Sequence, residues 1–168
     1  MVVELEERVA DLERRLAALE ADRRGAPRPG EGDFWALEGW KDRLAGIEAA
    51  DGGVLFTGAV RLPTGERYEW QYGALTEGLL NDDWPAAAEA FAALGHPVRL
   101  RLLREIVGGR RTAAELAELD GVGTTGQIYH HLRQLTGAGW LHTTGRGRHE
   151  VPPGRVVPLL VVLSAARD

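Results

Sequence analysis

The sequence contains no cysteine, which excludes disulfides, thiolate metal ligands, iron–sulfur clusters and cysteine nucleophiles. Long apolar runs are missing as well. The longest, Val156 to Leu163, is interrupted by Pro158, whereas a membrane-spanning helix takes about 20 apolar residues. The first residues are acidic and do not show the basic and then apolar pattern of a secretory signal. We therefore expect a cytoplasmic protein with no membrane partner.

Positive charge is scarce in the first half of the chain and concentrated in the second. Residues 1–95 carry 10 Lys and Arg against 19 Asp and Glu, whereas residues 96–155 carry 9 Arg against 5 acidic residues, together with all 5 histidines. The 168 residues are 44% apolar and 27% charged, which is typical of a soluble globular protein. A nucleic-acid surface is therefore expected in the second half only.

The N-terminal segment, residues 1–24, has the pattern of a coiled coil. Its apolar residues recur at alternating steps of three and four positions: Val2, Leu5, Val9, Leu12, Leu16 and Leu19. In a parallel pair of such helices, Arg8 faces Glu13 of the partner and Arg15 faces Glu20, so both pairs have opposite charges. The pattern predicts either this pairing between two chains or one amphipathic helix packed on its own domain.

Residues 25–32 are rich in glycine and proline and predict a linker. The segment 33–81 predicts a helix that ends at Gly52–Gly53, followed by a β-hairpin with one apolar face. That face carries four aromatic residues: Phe56, Tyr68, Trp70 and Tyr72. They either line an apolar ligand pocket or form the ordinary core of the hairpin. The segment is the candidate site for a small-molecule or protein effector.

The segment 82–155 predicts a helix, a short helix, a turn, a longer helix and a two-stranded ribbon. Pro97 suits the first turn of a helix, and Thr112–Glu115 and Thr124–Gln127 are both capping boxes. The ribbon turns at Gly145–Gly147. This order predicts a mainly α fold with a small β part (α+β), a winged helix-turn-helix preceded by the coiled-coil helix and the helix–hairpin segment.

The last segment, residues 156–168, predicts a short helix that is apolar nearly all round. A helix of this kind requires burial, and at the C-terminus a second copy of the chain can bury it. We therefore expect a homodimer with this helix at its interface.

The second half of the chain resembles the ArsR/SmtB-like family of bacterial winged-helix transcriptional regulators over residues 91–152. The matching segments are Leu94–Leu103, Thr112–Ala117, Gln127–Leu135, Ala138–Leu141 and Arg146–Arg148. The resemblance implies a homodimeric repressor that an effector releases from double-stranded operator DNA. Members that sense metals carry Cys-x-Cys at the position of Glu115–Ala117, and this chain does not, so sensing of a metal through thiolates is excluded. We expect neither a metal nor another cofactor.

The resemblance also assigns the DNA contacts. At the start of the recognition helix they are Thr124, Thr125, Gly126, Gln127, Tyr129 and His130, one turn later Arg133, and in the wing Arg146 and Arg148. Tyr129 stands where the family often has serine, which changes the base preference or blocks a close approach. Gln127 either reads a base or only completes the capping box.

Two further arginines, Arg99 and Arg101, flank the first helix of the motif and are additional candidates for phosphate contacts. The sequence offers no nucleophile–base pair or other catalytic constellation, so we do not expect an enzyme. The functional alternative is a protein–protein adaptor, since winged helices also serve in that role and the acidic first half suits a basic partner.

Overall fold

The computed structural model describes Arg8, residues 11–15 and residues 34–167. The chain divides into two compact units, Met1–Glu48 and Ala49–Asp168. In the first unit, residues 11–15 are helical (α1), and the Asp11 carboxylate pairs with Arg15 at 3.0 Å. Most of the predicted coiled coil and the whole predicted linker 25–32 lie outside the described residues.

The helix α2 spans Trp35–Gly46 and ends before the position that the sequence predicts. Glu48 adopts a positive φ of 54°, which the right-handed helix cannot accommodate. The prediction that Gly52 and Gly53 end this helix is therefore wrong. Gly52 closes a tight turn onto the Ala49 carbonyl (3.1 Å), and Gly53 is the first residue of a strand.

The second unit begins with a β-hairpin of β1 (Gly53–Arg61) and β2 (Arg67–Leu75). The antiparallel register pairs Phe56 with Tyr72, Gly58 with Trp70 and Val60 with Tyr68. Cross-strand partners point to the same side of a sheet, which confirms that the four aromatic residues share one face.

The helix that packs on this face is α8, Pro153–Ala165, from the other end of the unit. A Cβ atom at Gly58 would fall 2.6 Å from Val157 Cγ1, and one at Gly154 would contact the Trp70 ring at 3.5 Å. Because both glycines lack that atom, helix and hairpin approach closely. Three α8 residues are buried in their own chain by this packing and by the core: Val156, Val157 and Leu159.

A short helix α3 (Thr76–Asn81), a 3₁₀ turn (Trp84–Ala87) and α4 (Ala88–Leu94) connect the hairpin to the motif. The turn is held by the Trp84 indole N–H, which donates to the Leu79 carbonyl at 2.6 Å. No pattern in the sequence indicates α3, whose six residues include Gly78.

The predicted order of the winged helix-turn-helix is confirmed. The helices are α5 (Pro97–Val107), α6 (Ala113–Ala117) and α7 (Thr125–Gly137), and the ribbon pairs β3 (His142–Thr144) with β4 (Arg148–Glu150). The fold class is therefore α+β.

One hydrophobic core unites the hairpin, the motif and α8. Its large members are Leu62, Leu94, Leu102, Leu103, Ile106, Leu116, Val122, Ile128, Leu132, Leu135, Trp140, Leu141, Val151, Val156 and Leu159. In the part of the chain that the structure describes, no helix is long and apolar enough to cross a membrane.

Candidate nucleic-acid interface

The N-terminus of α7 is fixed by a capping box that involves two of the predicted DNA contacts. The Thr124 N–H donates to Gln127 Oε1 at 2.8 Å, and the Gln127 N–H donates to Thr124 Oγ1 at 3.4 Å. Gly123, at φ 96°, lies so close that a Cβ there would fall 2.5 Å from Gln127 Oε1. A bidentate contact of Gln127 with adenine uses the same oxygen, so base reading by Gln127 requires this box to open.

The predicted reading face of α7 is exposed. The residues on it that are open to solvent are Thr124, Thr125, Gly126, Gln127, Tyr129, His130 and Arg133. The Tyr129 side chain is 51% exposed, whereas Ile128 and Leu132 are 0% and 1% exposed. The apolar stripe thus holds the helix to the core and leaves a polar, partly cationic face outward.

Arg146 is the exposed residue at the tip of the wing. It adopts a left-handed φ of 65° between Gly145 and Gly147, and both its neighbours in the turn are exposed as well. Arg148, the second predicted wing contact, is half-buried and forms a β-bridge with Thr112. The two arginines are therefore not equivalent, and Arg146 has the better access to a ligand.

The candidates Arg99 and Arg101 are engaged with other parts of the protein. Arg99 donates to the carbonyls of Ala93 (2.6 Å) and Ala92 (2.7 Å) at the end of α4, and to the side chain of Gln134 on α7. Arg101 donates to the Asp120 carbonyl. These contacts order the motif. All three side-chain nitrogens of Arg99 are engaged with structural partners, whereas Arg101 uses one nitrogen and keeps other donors.

His130 and Arg133 line an open cleft of about 550 Å³ between α7 and α4. Arg99 and Glu89 line the same cleft, so that it has one acidic residue beside two arginines and a histidine. The cleft borders the exposed face of α7, so that a molecule bound in it would contact two of the predicted DNA-binding residues.

Three histidines lie close together: His96 at the N-terminus of α5, and His130 and His131 on α7. The rings of His96 and His131 are 4.8 Å apart, and those of His130 and His131 are 5.8 Å apart. Burial lowers the pKa of His131, and the neighbouring His96 lowers that pKa further. Among the described residues, no group of three or more His, Asp or Glu side chains has the arrangement of a metal site.

The aromatic residues of the hairpin do not share one environment. The rings of Phe56 and Tyr72 contact each other at 5.6 Å, and Tyr72 is 53% exposed. Tyr68, in contrast, packs against the core, and burial raises the pKa of its hydroxyl. Trp70 lies against Gly154 of α8. A ligand site on these residues stays a prediction.

A further residue near the wing, Arg111, is not among the predicted site residues. Its side chain is 14% exposed and pairs with two carboxylates, those of Glu66 and Glu150. The hydrogen bond from Arg111 lowers the pKa of Glu66, and the Thr112 hydroxyl lowers that of Glu115 in the first capping box. Burial lowers the pKa of His149 in the neighbouring strand. In sequence, Arg111 is only one of several arginines in a basic stretch.

Replacing the capping threonine tests how much the box contributes to the stability of α7. We expect Thr124→Ala to lower the free energy of unfolding by about 1 kcal/mol, because the Gln127 N–H loses its acceptor. Urea denaturation followed by circular dichroism measures this change. Thr125→Ala removes the same atoms one position later and is the control. Equal stability of the two variants would contradict the role of the cap.

Comparison with known families identifies a helix-turn-helix domain in the second half of the chain. A family model described as a helix-turn-helix domain matches residues 94–143, from the end of α4 into β3. Comparison with curated proteins and with solved structures gives no match. The matched domain indicates a DNA-binding regulator.

Proposed function

We propose that the chain is a sequence-specific transcriptional regulator that binds an inverted-repeat operator in double-stranded DNA as a homodimer and acts as a repressor. The observation that carries the proposal is the exposed polar N-terminal half of α7 on a helix whose opposite stripe is buried. The major groove of B-form DNA accepts one α-helix, and the side chains at its N-terminus reach the base edges.

The residue types on this face suit distinct parts of the duplex. Tyr129 and His130 are exposed near the start of α7, where side chains reach bases. Arg133 follows one turn later and would contact a phosphate. Arg146 at the wing tip would contact the backbone beside the neighbouring minor groove, with Arg148 behind it. Thr124, Thr125, Gly126 and Gln127 complete the reading edge.

Exposed apolar side chains support the homodimer. Leu80, Trp84 and Phe91, on α3, the 3₁₀ turn and α4, are 65%, 66% and 61% exposed. The second half of α8 adds four partly exposed apolar residues, 160–163. Large exposed apolar side chains are typical of interaction sites, and a second copy of the chain would cover these. The heptads of residues 1–24 would add to the same pairing.

This proposal gives each predicted segment a role. Residues 82–155 bind DNA, residues 156–168 contribute to the dimer, and residues 33–81 receive a small-molecule or protein effector. The linker 25–32 joins the coiled-coil helix to this body. The resemblance to ArsR/SmtB-like regulators supports repression and release by an effector, and a regulator of this kind would act in the cytoplasm.

Selection from a pool of random duplexes tests the proposal. We expect the bound fraction to become enriched in an inverted repeat whose half-sites lie about one helical turn, roughly 34 Å, apart. His130→Ala should change the preferred bases in the half-site, whereas Arg133→Ala should weaken binding to all sequences. A pool that stays random after selection would contradict sequence-specific recognition.

A further inference from the structure

The wing is too small to hold its own orientation. Each of its strands, β3 and β4, has three residues, and a two-stranded ribbon of this size is only marginally stable alone. Its position on DNA must therefore be set by contacts with the rest of the protein.

Backbone contacts attach the wing to the segment before α6. The His149 N–H donates to the Arg111 carbonyl at 2.6 Å, and Thr112 forms a β-bridge with Arg148. Residues 111–112 thus contact the edge of β4 through one hydrogen bond and one isolated β-bridge. The Arg111 N–H also donates to Glu115 Oε2 at 3.0 Å. This bond connects the residues that contact β4 to the capping box of α6.

The Arg111 side chain connects the wing to the β1–β2 hairpin. Arg111 Nη1 donates to Glu150 Oε1 of β4 at 2.9 Å, and Nη2 donates to Glu66 Oε2 in the hairpin turn. Glu66 is itself fixed by the Thr64 hydroxyl, which donates to it at 2.7 Å. One guanidinium, 14% exposed, therefore joins two carboxylates that would otherwise repel each other.

The hairpin turn is seated closely enough to act as a fixed support. A Cβ at Gly109 would fall 3.1 Å from Thr64 Cγ2, so the turn touches the loop between α5 and α6. Next to it, Leu62 is 7% exposed and belongs to the hydrophobic core. The hairpin thus packs against the same core as the helix-turn-helix motif.

We propose that Arg111 is a positioning residue through which the β1–β2 hairpin sets the orientation of the wing. The inference rests on the proposed function in one respect, the contact of the wing with DNA. It gives the hairpin a role in DNA binding that requires no ligand. It also means that a molecule bound at the hairpin turn would act on the wing through Glu66 and Arg111.

The test removes the charge at the hairpin end of this connection and leaves Arg111 and Glu150 in place. Glu66→Gln weakens the bond to Arg111, and Glu69→Gln makes the same change in charge at an exposed position on the outer face of β2. Thermal unfolding is used to check that both variants are folded. Hydrogen exchange of the free proteins then reports the wing, and we expect the His149 amide to exchange about fivefold faster in Glu66→Gln than in Glu69→Gln.

Binding to a random-sequence duplex at low salt gives the second readout. Arg146→Ala should weaken binding in the parent and in Glu69→Gln, and should have a smaller effect in Glu66→Gln, where the wing keeps its backbone contacts but is held less firmly. Equal exchange of the wing in Glu66→Gln and Glu69→Gln would overturn the positioning role. Faster exchange in Glu66→Gln, together with no effect of Arg146→Ala in the parent, would support positioning and refute the DNA contact of the wing.

Discussion

Raising the salt concentration from about 50 to about 200 mM is expected to weaken the binding of duplex DNA by roughly a thousandfold. The proposed phosphate contacts are Arg133, Arg146 and Arg148, or about six in a dimer. Each neutralised phosphate releases counterions, so the logarithm of the binding constant should fall against the logarithm of salt with a slope of about −5. Fluorescence anisotropy with a labelled duplex of random sequence measures the slope.

The double variant Arg146→Ala/Arg148→Ala tests whether the wing contributes most of this salt dependence. Four of the six proposed contacts in a dimer are removed, so we expect the slope to become roughly −2 and the affinity to fall for all sequences. Arg167→Ala, which removes an exposed charge after the end of α8, is the control. An affinity that does not change with salt would favour the adaptor, because a protein partner gives no counterion release from DNA.

Gly58→Val is expected to have the largest effect on stability, about 2–3 kcal/mol less free energy of unfolding. The position of the missing Cβ lies 2.6 Å from Val157 Cγ1, and Val157 is 1% exposed in the middle of α8. The new side chain must therefore push α8 away from the hairpin. Chemical denaturation measures the loss. Gly78→Ala, at a position with open space around it, should not destabilise the protein.

A compensating substitution separates this clash from a general effect of a larger residue in β1. Val157→Ala alone should destabilise the protein by about 2 kcal/mol, because it leaves a cavity. In the double variant Gly58→Val/Val157→Ala the new side chain fills that space, and the sum of the two single losses should exceed the measured loss by at least about 1 kcal/mol. Simple additivity would show that helix and hairpin do not meet at this contact.

The motif could be predicted from the sequence because its signals are local. Thr112 and Thr124 begin helices through capping boxes that need only residues three positions apart, and both boxes are present. The apolar stripe of α7 has the helical period, and its members are buried. In the turn Gly145–Gly147, Gly147 likewise has the positive φ, 68°, that glycine adopts without strain.

What the sequence could not predict depends on contacts between distant residues. A helix that is apolar nearly all round does not indicate which surface covers it, and α8 packs on the hairpin, about a hundred residues earlier in the chain. The partners of Arg111 lie 45 and 39 residues away. The carbonyl acceptors of Arg99 and Arg101 likewise have no signal in the sequence.

The positions at which helices begin and end were also predicted incorrectly in places. Gly52–Gly53 resembles a helix stop, yet α2 ends at Gly46 because the backbone turns at Glu48, a residue with no preference for a positive φ. Helix α3 has six residues and no side-chain cap, so neither its length nor its first residue gives a signal.

Because the hairpin, the motif and α8 share one core, the motif cannot be transferred alone to another protein. Leu62 of the hairpin and Val156 and Leu159 of α8 belong to the same core as Leu102 and Ile106 of the motif. A fragment cut at residues 94 and 143 would expose Leu102 and Ile106 to water and lose its fixed tertiary packing. Recombination that moves the helix-turn-helix motif into another gene must therefore include the hairpin and α8 as well. Otherwise the new protein must supply other apolar surfaces in their place.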